Sequence, residues 1–254
     1  MPDIERYYIP AGEGAAEIGL DWLADEGRRA GVATLWAPTV VDLDAIEREL
    51  SRAADRKLIR AVVSGQSASA WGIVVHRVTA RGGTYSNGPV LAFWPDDEEM
   101  ERIERAPAVC AVNWPTGLAL RGWEARHKPI DVASGQPINP DTPPASPVAL
   151  AALKSIKLHG IHNGLERPYT AAALNVLALG GIPIDREAMR IAAIIHGWPA
   201  HVARDLAKLI DTMKKGTRVR LDQSRDWGAE YDRWVTQAAN RRTRTSAGEA
   251  DADA

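Results

Sequence analysis

The chain has 254 residues, 45% of them hydrophobic and 25% charged, with a net charge of −2. That balance excludes a collagen-like or wholly disordered polymer, and the length admits one large domain or two of ordinary size. A single cysteine excludes an internal disulfide and any cysteine-based zinc cluster.

The opening residues Met1 to Arg6 offer neither the basic nor the apolar segment of a secretory signal. No apolar run reaches the ~18 residues of a membrane span, because Asn175, Pro183 and Asp185 interrupt the most apolar stretch of the back half. The expectation is a cytoplasmic protein with no membrane partner.

Taken in order, Gly14 to Arg29 reads as a helix, with Ile18, Trp22 and Leu23 at core spacing, and Val32 to Ala37 as a strand closed by Pro38. Leu43 to Ala54 is again helical. Leu58 to Val63 and Trp71 to Val78 read as strands because they are rich in Ile and Val. Arg81 to Gly88 has the glycine and asparagine of a turn, and Pro89 to Trp94 forms the next strand. Asp96 to Arg105 predicts a short helix with four acids complementing the dipole of its first turn, and Ala108 to Trp114 a final strand. Cys110 lies inside the apolar run Ala108 to Val112, the setting of an inert structural thiol. Strands alternating with helices predict a Rossmann-like α/β domain over residues 1–130 with a mostly parallel sheet.

Residues 131–147 contain a proline-rich run with no periodicity, which reads as a linker. Beyond it, residues 148–221 read as an all-α, four-helix domain: Pro147 to Leu158, Pro168 to Leu179, Asp185 to His196 and Pro199 to Lys215. Proline at the starts and glycine at the ends, at Gly180, Gly197 and Gly216, delimit these helices. Ala188, Ile191, Ala192 and Ile195 share a face of the third, and Ala203, Leu206, Ile210 and Met213 a face of the fourth. Residues 222–254 read as a partly disordered tail.

Chemical motifs are scarce. Neither G-x-G-x-x-G nor G-x-x-x-x-G-K-[ST] occurs, so the backbone cradle that lets a sheet hold a pyrophosphate is missing and no cofactor is expected. Gly65 to Ser69 imitates a nucleophile elbow but has Ser69 where its second glycine belongs, and reads as a serine-rich loop. His76 reads as a half-exposed sheet residue. His159, His162 and Glu166 are interleaved with Gly160 and Asn163-Gly164, which keep the side chains off a common helix face, and no metal site is assigned. Should the front sheet bind a small ligand or nucleotide phosphate, as an enzyme or a binder, Thr39, Ser64 and Ser67 beyond strand ends are the candidates.

Charge is uneven. Residues 1–149 carry 15 Lys and Arg against 21 Asp and Glu, a balance of −6, whereas residues 150–220 carry 11 against 5, a balance of +6. Only Gly197 and Trp198 separate the last two predicted helices, a helix-turn-helix-like arrangement shorter than the usual 3 to 4 residue turn. The second would present His201, Arg204, Asp205 and Lys208 outward, with Lys214, Lys215, Arg218 and Arg220 near phosphates. The function expected is therefore non-enzymatic binding or adaptation, with DNA or RNA on the basic helical domain. Docking of the two halves on each other would use the same charges. A protein partner or a homo-oligomer built on exposed Trp123, Trp227 or Trp234 is the other expectation.

His162 to Pro168, and Ile195 to Trp198 ahead of Ala203 to Leu206, resemble a segment found in uncharacterised actinobacterial proteins. The resemblance implies no activity and transfers no site residue.

Overall fold

The computed structural model describes residues 4–65, 67–82, 87–113, 120–141, 145–158 and 164–250, the last ten by backbone alone. The chain forms two compact units, Met1–Pro140 and Asp141–Ala254.

The first unit is an α/β layer structure. Its strands are β1 (Glu5–Ile9), β2 (Val32–Ala37), β3 (Ser67–Ala70), β4 (Ile73–Thr79), β5 (Val90–Phe93), β6 (Ala108–Val112) and β7 (Ile130–Asp131), in the sheet order β3-β4-β2-β5-β6-β1-β7. Every pairing is parallel except β3 with β4. Parallel strands need crossovers, which are supplied by α1 (Ala15–Ala30), α2 (Val40–Glu49), α3 (Ala53–Ser64), α4 (Asp97–Ile103) and α5 (Arg121–His127).

Side chains alternate across this sheet. Leu91 and Phe93 of β5 and Cys110 and Val112 of β6 enter a core that includes Leu20, Leu23, Leu43 and Ile59 of α1, α2 and α3. Their neighbours Val90, Ala92, Val109 and Ala111 enter the opposite core, with Met100 and Ile103 of α4 and Trp123 of α5. Burial on both faces explains why β5 and β6 are continuously apolar. Cys110 is wholly buried, and burial pushes its thiol well above the ordinary range, as expected of an inert cysteine.

Two front-half expectations are corrected. Leu58 to Val63 belongs to α3, where Asp55, Leu58, Ile59 and Val62 recur at helical spacing on the buried face. The serine-rich stretch is a strand: Ser67 to Ala70 pair antiparallel with Ile73 to His76. The turn expected at Arg81 to Gly88 falls partly, at residues 83–86, outside the described residues, as does Trp114. The linker also begins later than residue 131, since Val132 N–H donates to Tyr8 at 3.0 Å and Ile138 N–H to Pro129 at 2.9 Å.

The second unit is helical: α6 (Pro147–Leu158), α7 (Arg167–Leu179), α8 (Arg186–Ile195), α9 (Ala200–Lys214) and α10 (Trp227–Ala250). Three of them end alike. The N–H of Ile182, Trp198 and Thr217 returns to the carbonyl of Leu177, Ala193 and Thr212, with Gly181, Gly197 and Gly216 in the left-handed region at φ 72°, 75° and 71°. These are Schellman closures, and glycine supplies their positive φ without a steric cost.

The helical unit does not stop at residue 221. The segment after α9 is tied back by a 3.0 Å bond from Asp222 N–H to Pro168 and a 2.8 Å bond from the Trp227 indole to Asp222. Trp227, Tyr231, Trp234 and Ala238 then run along one face of α10 against the core, with Trp234 fully buried. The expected tail is thus a fifth helix as far as Ala250. Trp123 and Trp234 are likewise corrected as interface residues, being 2% and 0% exposed, and Trp227 is half-buried against Tyr169 with ring centroids 5.0 Å apart. No helix among the described residues is long and apolar enough to cross a membrane.

Trp234→Ala should cost about 3–5 kcal/mol of stability, the range for emptying a large aromatic site in a core. Urea unfolding of the full chain tests this; a loss below about 1 kcal/mol would detach α10 from the core.

Candidate functional site

The link between α8 and α9 fixes what α9 can present. Trp198 follows the left-handed Gly197 and is completely buried, while the Lys157 ammonium donates to the His196 carbonyl at 2.7 Å and so satisfies a terminal acceptor of α8. From that anchor α9 buries Ala203, Leu206 and Ile210 of the expected face, adds Val202 and Leu209 to it, half-buries Met213, and leaves His201, Arg204 and Lys208 exposed. Ile195, expected on the buried face of α8, is 42% exposed because it lies in the turn that closes the helix.

The exposed face of α9 is mixed in sign. Lys208 lies 3.4 Å from Asp205, and Arg186 of α8 pairs with Asp211 at 2.9 Å. The concentration of positive charge comes later, where Lys214, Lys215, Arg218 and Arg220 are all exposed and none pairs with a carboxylate among the described residues. The two lysines complement the negative end of the α9 dipole. Arg218 and Arg220 lie beyond the helix, so the dipole does not account for them. Together with Asp222 and with Pro168 in the first turn of α7, they line an open cleft of about 880 Å³.

The three front-half candidates do not assemble into one site. Thr39 is the N-cap of α2, its hydroxyl bonded to the Asp42 carboxylate at 2.7 Å and accepting from Asp42 N–H at 3.3 Å. The Ser64 hydroxyl donates to Ala61 at 3.1 Å. Ser67 is an exposed edge-strand residue whose register partner is His76, itself paired with Thr34 three residues short of the end of β2. His159 and His162 lie outside the described residues.

The sheet does have a point of divergence where an open α/β fold binds ligands, between the carboxyl ends of β2 and β5. Both helices starting there are closed by their own acids: Thr39 with Asp42 caps α2, and Asp96 with Glu99 caps α4. Burial, with Asp96 and Glu98 alongside, pushes Glu99 up to about 7. Added negative charge is disfavoured at such an edge, and this supplies a structural reason for the missing phosphate cradle.

Sequence reasoning missed a polar cluster on the α4–α5 face of the sheet. Asp97 accepts from the N–H groups of Gly122 and Trp123 at 3.2 and 2.7 Å and so caps α5 from another helix. One oxygen of Glu104 gathers Arg6 at 2.8 Å, the Trp123 indole at 2.8 Å and His127 at 3.2 Å. Burial holds His127 down at about 4, neutral in ordinary buffers. Glu124, 5% exposed, bonds to the Tyr8 hydroxyl and accepts from Asn113 at 3.3 Å; burial and the nearby Asp97 push it up to about 7. The residues come from four separate elements, and no spacing rule joins them.

A family model described as a domain of unknown function (DUF1889) matches residues 144–235, less than half of the chain. The match runs from just before α6 into α10 and agrees with an uncharacterised family for the back half. No curated protein and no solved structure matches the chain.

The Glu124 environment sets a pH dependence. A carboxyl whose folded value is about 7 against an ordinary 4.5 is favoured by folding in its protonated form, so its burial costs least below pH 4.5 and progressively more as pH rises to 7. Glu124→Gln removes that cost. Relative to the parent, the variant should gain about 2–3 kcal/mol between ~pH 4.5 and ~pH 8 in urea unfolding. A difference that stays constant with pH would mean that Glu124 titrates normally.

Proposed function

We propose that the protein is a non-enzymatic binding protein whose helical unit contacts the sugar–phosphate backbone of DNA or RNA. The observation that carries this reading is the run of exposed cations from Lys214 to Arg220, unpaired with carboxylates among the described residues. Arginine suits the role because its planar fork can donate two parallel hydrogen bonds to one phosphate. The cleft that Arg218 and Arg220 line supports it further, since its lining holds these two cations against one carboxylate, Asp222.

Within this reading His201, Arg204 and Lys208 on α9 extend the contact surface. Asp205 and Asp211 temper them, so the charge favours phosphate contacts at the exit of α9 over insertion of the helix into a groove. Binding of this kind is weak in sequence preference and strong in salt dependence. The acidic α/β unit acts as the adaptor half, available to a protein partner, and a cytoplasmic setting accords with its lone buried cysteine.

Fluorescence anisotropy of the full chain with duplex and single-stranded oligonucleotides should show binding at ~50 mM salt that falls steeply as salt rises. Replacing both Arg218 and Arg220 by Gln should weaken duplex binding and flatten the log–log salt slope by about 1.8, at ~0.9 for each lost phosphate contact. Absence of salt-sensitive binding by the parent, or an unchanged slope in a variant with normal thermal stability, would overturn the reading.

A further inference from the structure

We propose that the helical unit also contains a small-molecule site for an apolar-tailed carboxylate, in the cavity formed by α7, the loop joining α7 to α8, and α9. The cavity measures about 500 Å³, within the ~300–1,000 Å³ usual for ligand pockets. Its walls come from three directions. Leu174 projects from α7, Ile182 and Ile184 from the loop, and Ile210 and Met213 from α9.

Loop geometry keeps this space open. The Schellman closure at Gly181 turns the chain away from α7, and regular structure resumes only after the Asp185 cap of α8. Residues 182–184 therefore form a wall without filling the space between α7 and α9.

Two polar side chains accompany the apolar lining, Asn175 and Lys214. Lys214 has no carboxylate partner among the described residues, and the lining contains no Asp or Glu. An apolar cavity with one cation and one amide suits a hydrocarbon tail ending in a single negative charge, with the amide left to orient it. A neutral head group would forgo the charge-assisted bond to Lys214, and a cationic one would be repelled. The site shares Lys214 with the proposed phosphate contacts but does not depend on them.

Decanoate, decanol and decylamine, each kept below its aggregation concentration, are titrated calorimetrically into the full chain. Decanoate should bind with 1:1 stoichiometry and raise the melting temperature, since a ligand selective for the native state stabilises it. Decanol should bind about tenfold more weakly and decylamine more weakly still, the worth of one charge-assisted bond. Lys214→Gln should erase the preference for decanoate over decanol. Ala178→Trp, which adds bulk at an exposed position lining the cavity, should abolish binding without lowering the melting temperature. Absence of saturable binding by decanoate, equal binding of all three ligands, or protection of the cavity by self-association of the chain would each overturn the proposal.

Discussion

Burial of Trp198 is the constraint on which the outward face of α9 depends. Gly197 allows the chain to reverse out of α8, the Trp198 N–H returns to Ala193, and the indole is enclosed completely. Once it is enclosed, the rotation of α9 about its own axis is set: Val202, Leu206, Leu209 and Ile210 face inward, and the remaining positions must face out. A large aromatic side chain is costly to expose, which makes this a stiffer setting than a polar turn could provide. The cations do not define the surface. They occupy positions that the packing leaves over.

The same logic accounts for where positive charge accumulates. Along α9 the outward positions include Asp205 and Asp211, and local pairing compensates Lys208 and Arg186. Past Gly216 the chain continues as an irregular segment anchored at Asp222 to Pro168, and Arg218 and Arg220 in it have no carboxylate at pairing distance among the described residues. Arg225 differs, since it packs over the Tyr169 ring at 5.0 Å and lies 3.7 Å from Glu230. Arg218 and Arg220 are distinguished from it by the absence of a structural use. The pairing of the individual cations describes this unit more finely than a charge count over residues 150–220.

Regular periodicity made α1, α4 and α6 to α9 legible, because each pairs a helical apolar pattern with a chemical boundary such as the Asp96 cap or Gly216. Of the elements that were not legible, three were obscured for different reasons. In α3 the cluster of Leu, Ile and Val imitates a strand, although Asp55, Leu58, Ile59 and Val62 follow the helical period. β1 is only five residues long and mixes Glu5 and Arg6 with two tyrosines, so it shows little strand character. In α10 abundant charge and small residues suggest disorder, while Trp227, Tyr231, Trp234 and Ala238 form a narrow stripe at ordinary helical spacing that carries the packing. The Glu124 and Glu104 clusters had no local signal at all, since they exist only once β1, α4, the end of β6 and α5 have met.

The helix starts beside the front sheet differ from that of α7 in how their N–H groups are met. In the α/β unit the helices leaving β2 and β5 start at the edge where parallel sheets commonly receive anionic ligands, yet Asp42 and Glu99 already accept the N-cap N–H groups there. An incoming phosphate would have to displace those carboxylates and would meet Asp97 and Glu98 besides. In the helical unit α7 begins without a side-chain cap, and the arginines of the neighbouring segment line the cleft beside its first turn. Carboxylate caps thus occupy the first two helix starts, whereas α7, whose N-cap residue is Glu166, starts without a side-chain cap and has both Asp222 and the arginines along the adjoining cleft. How a helix begins and ends is a local property that net charge alone would not reveal.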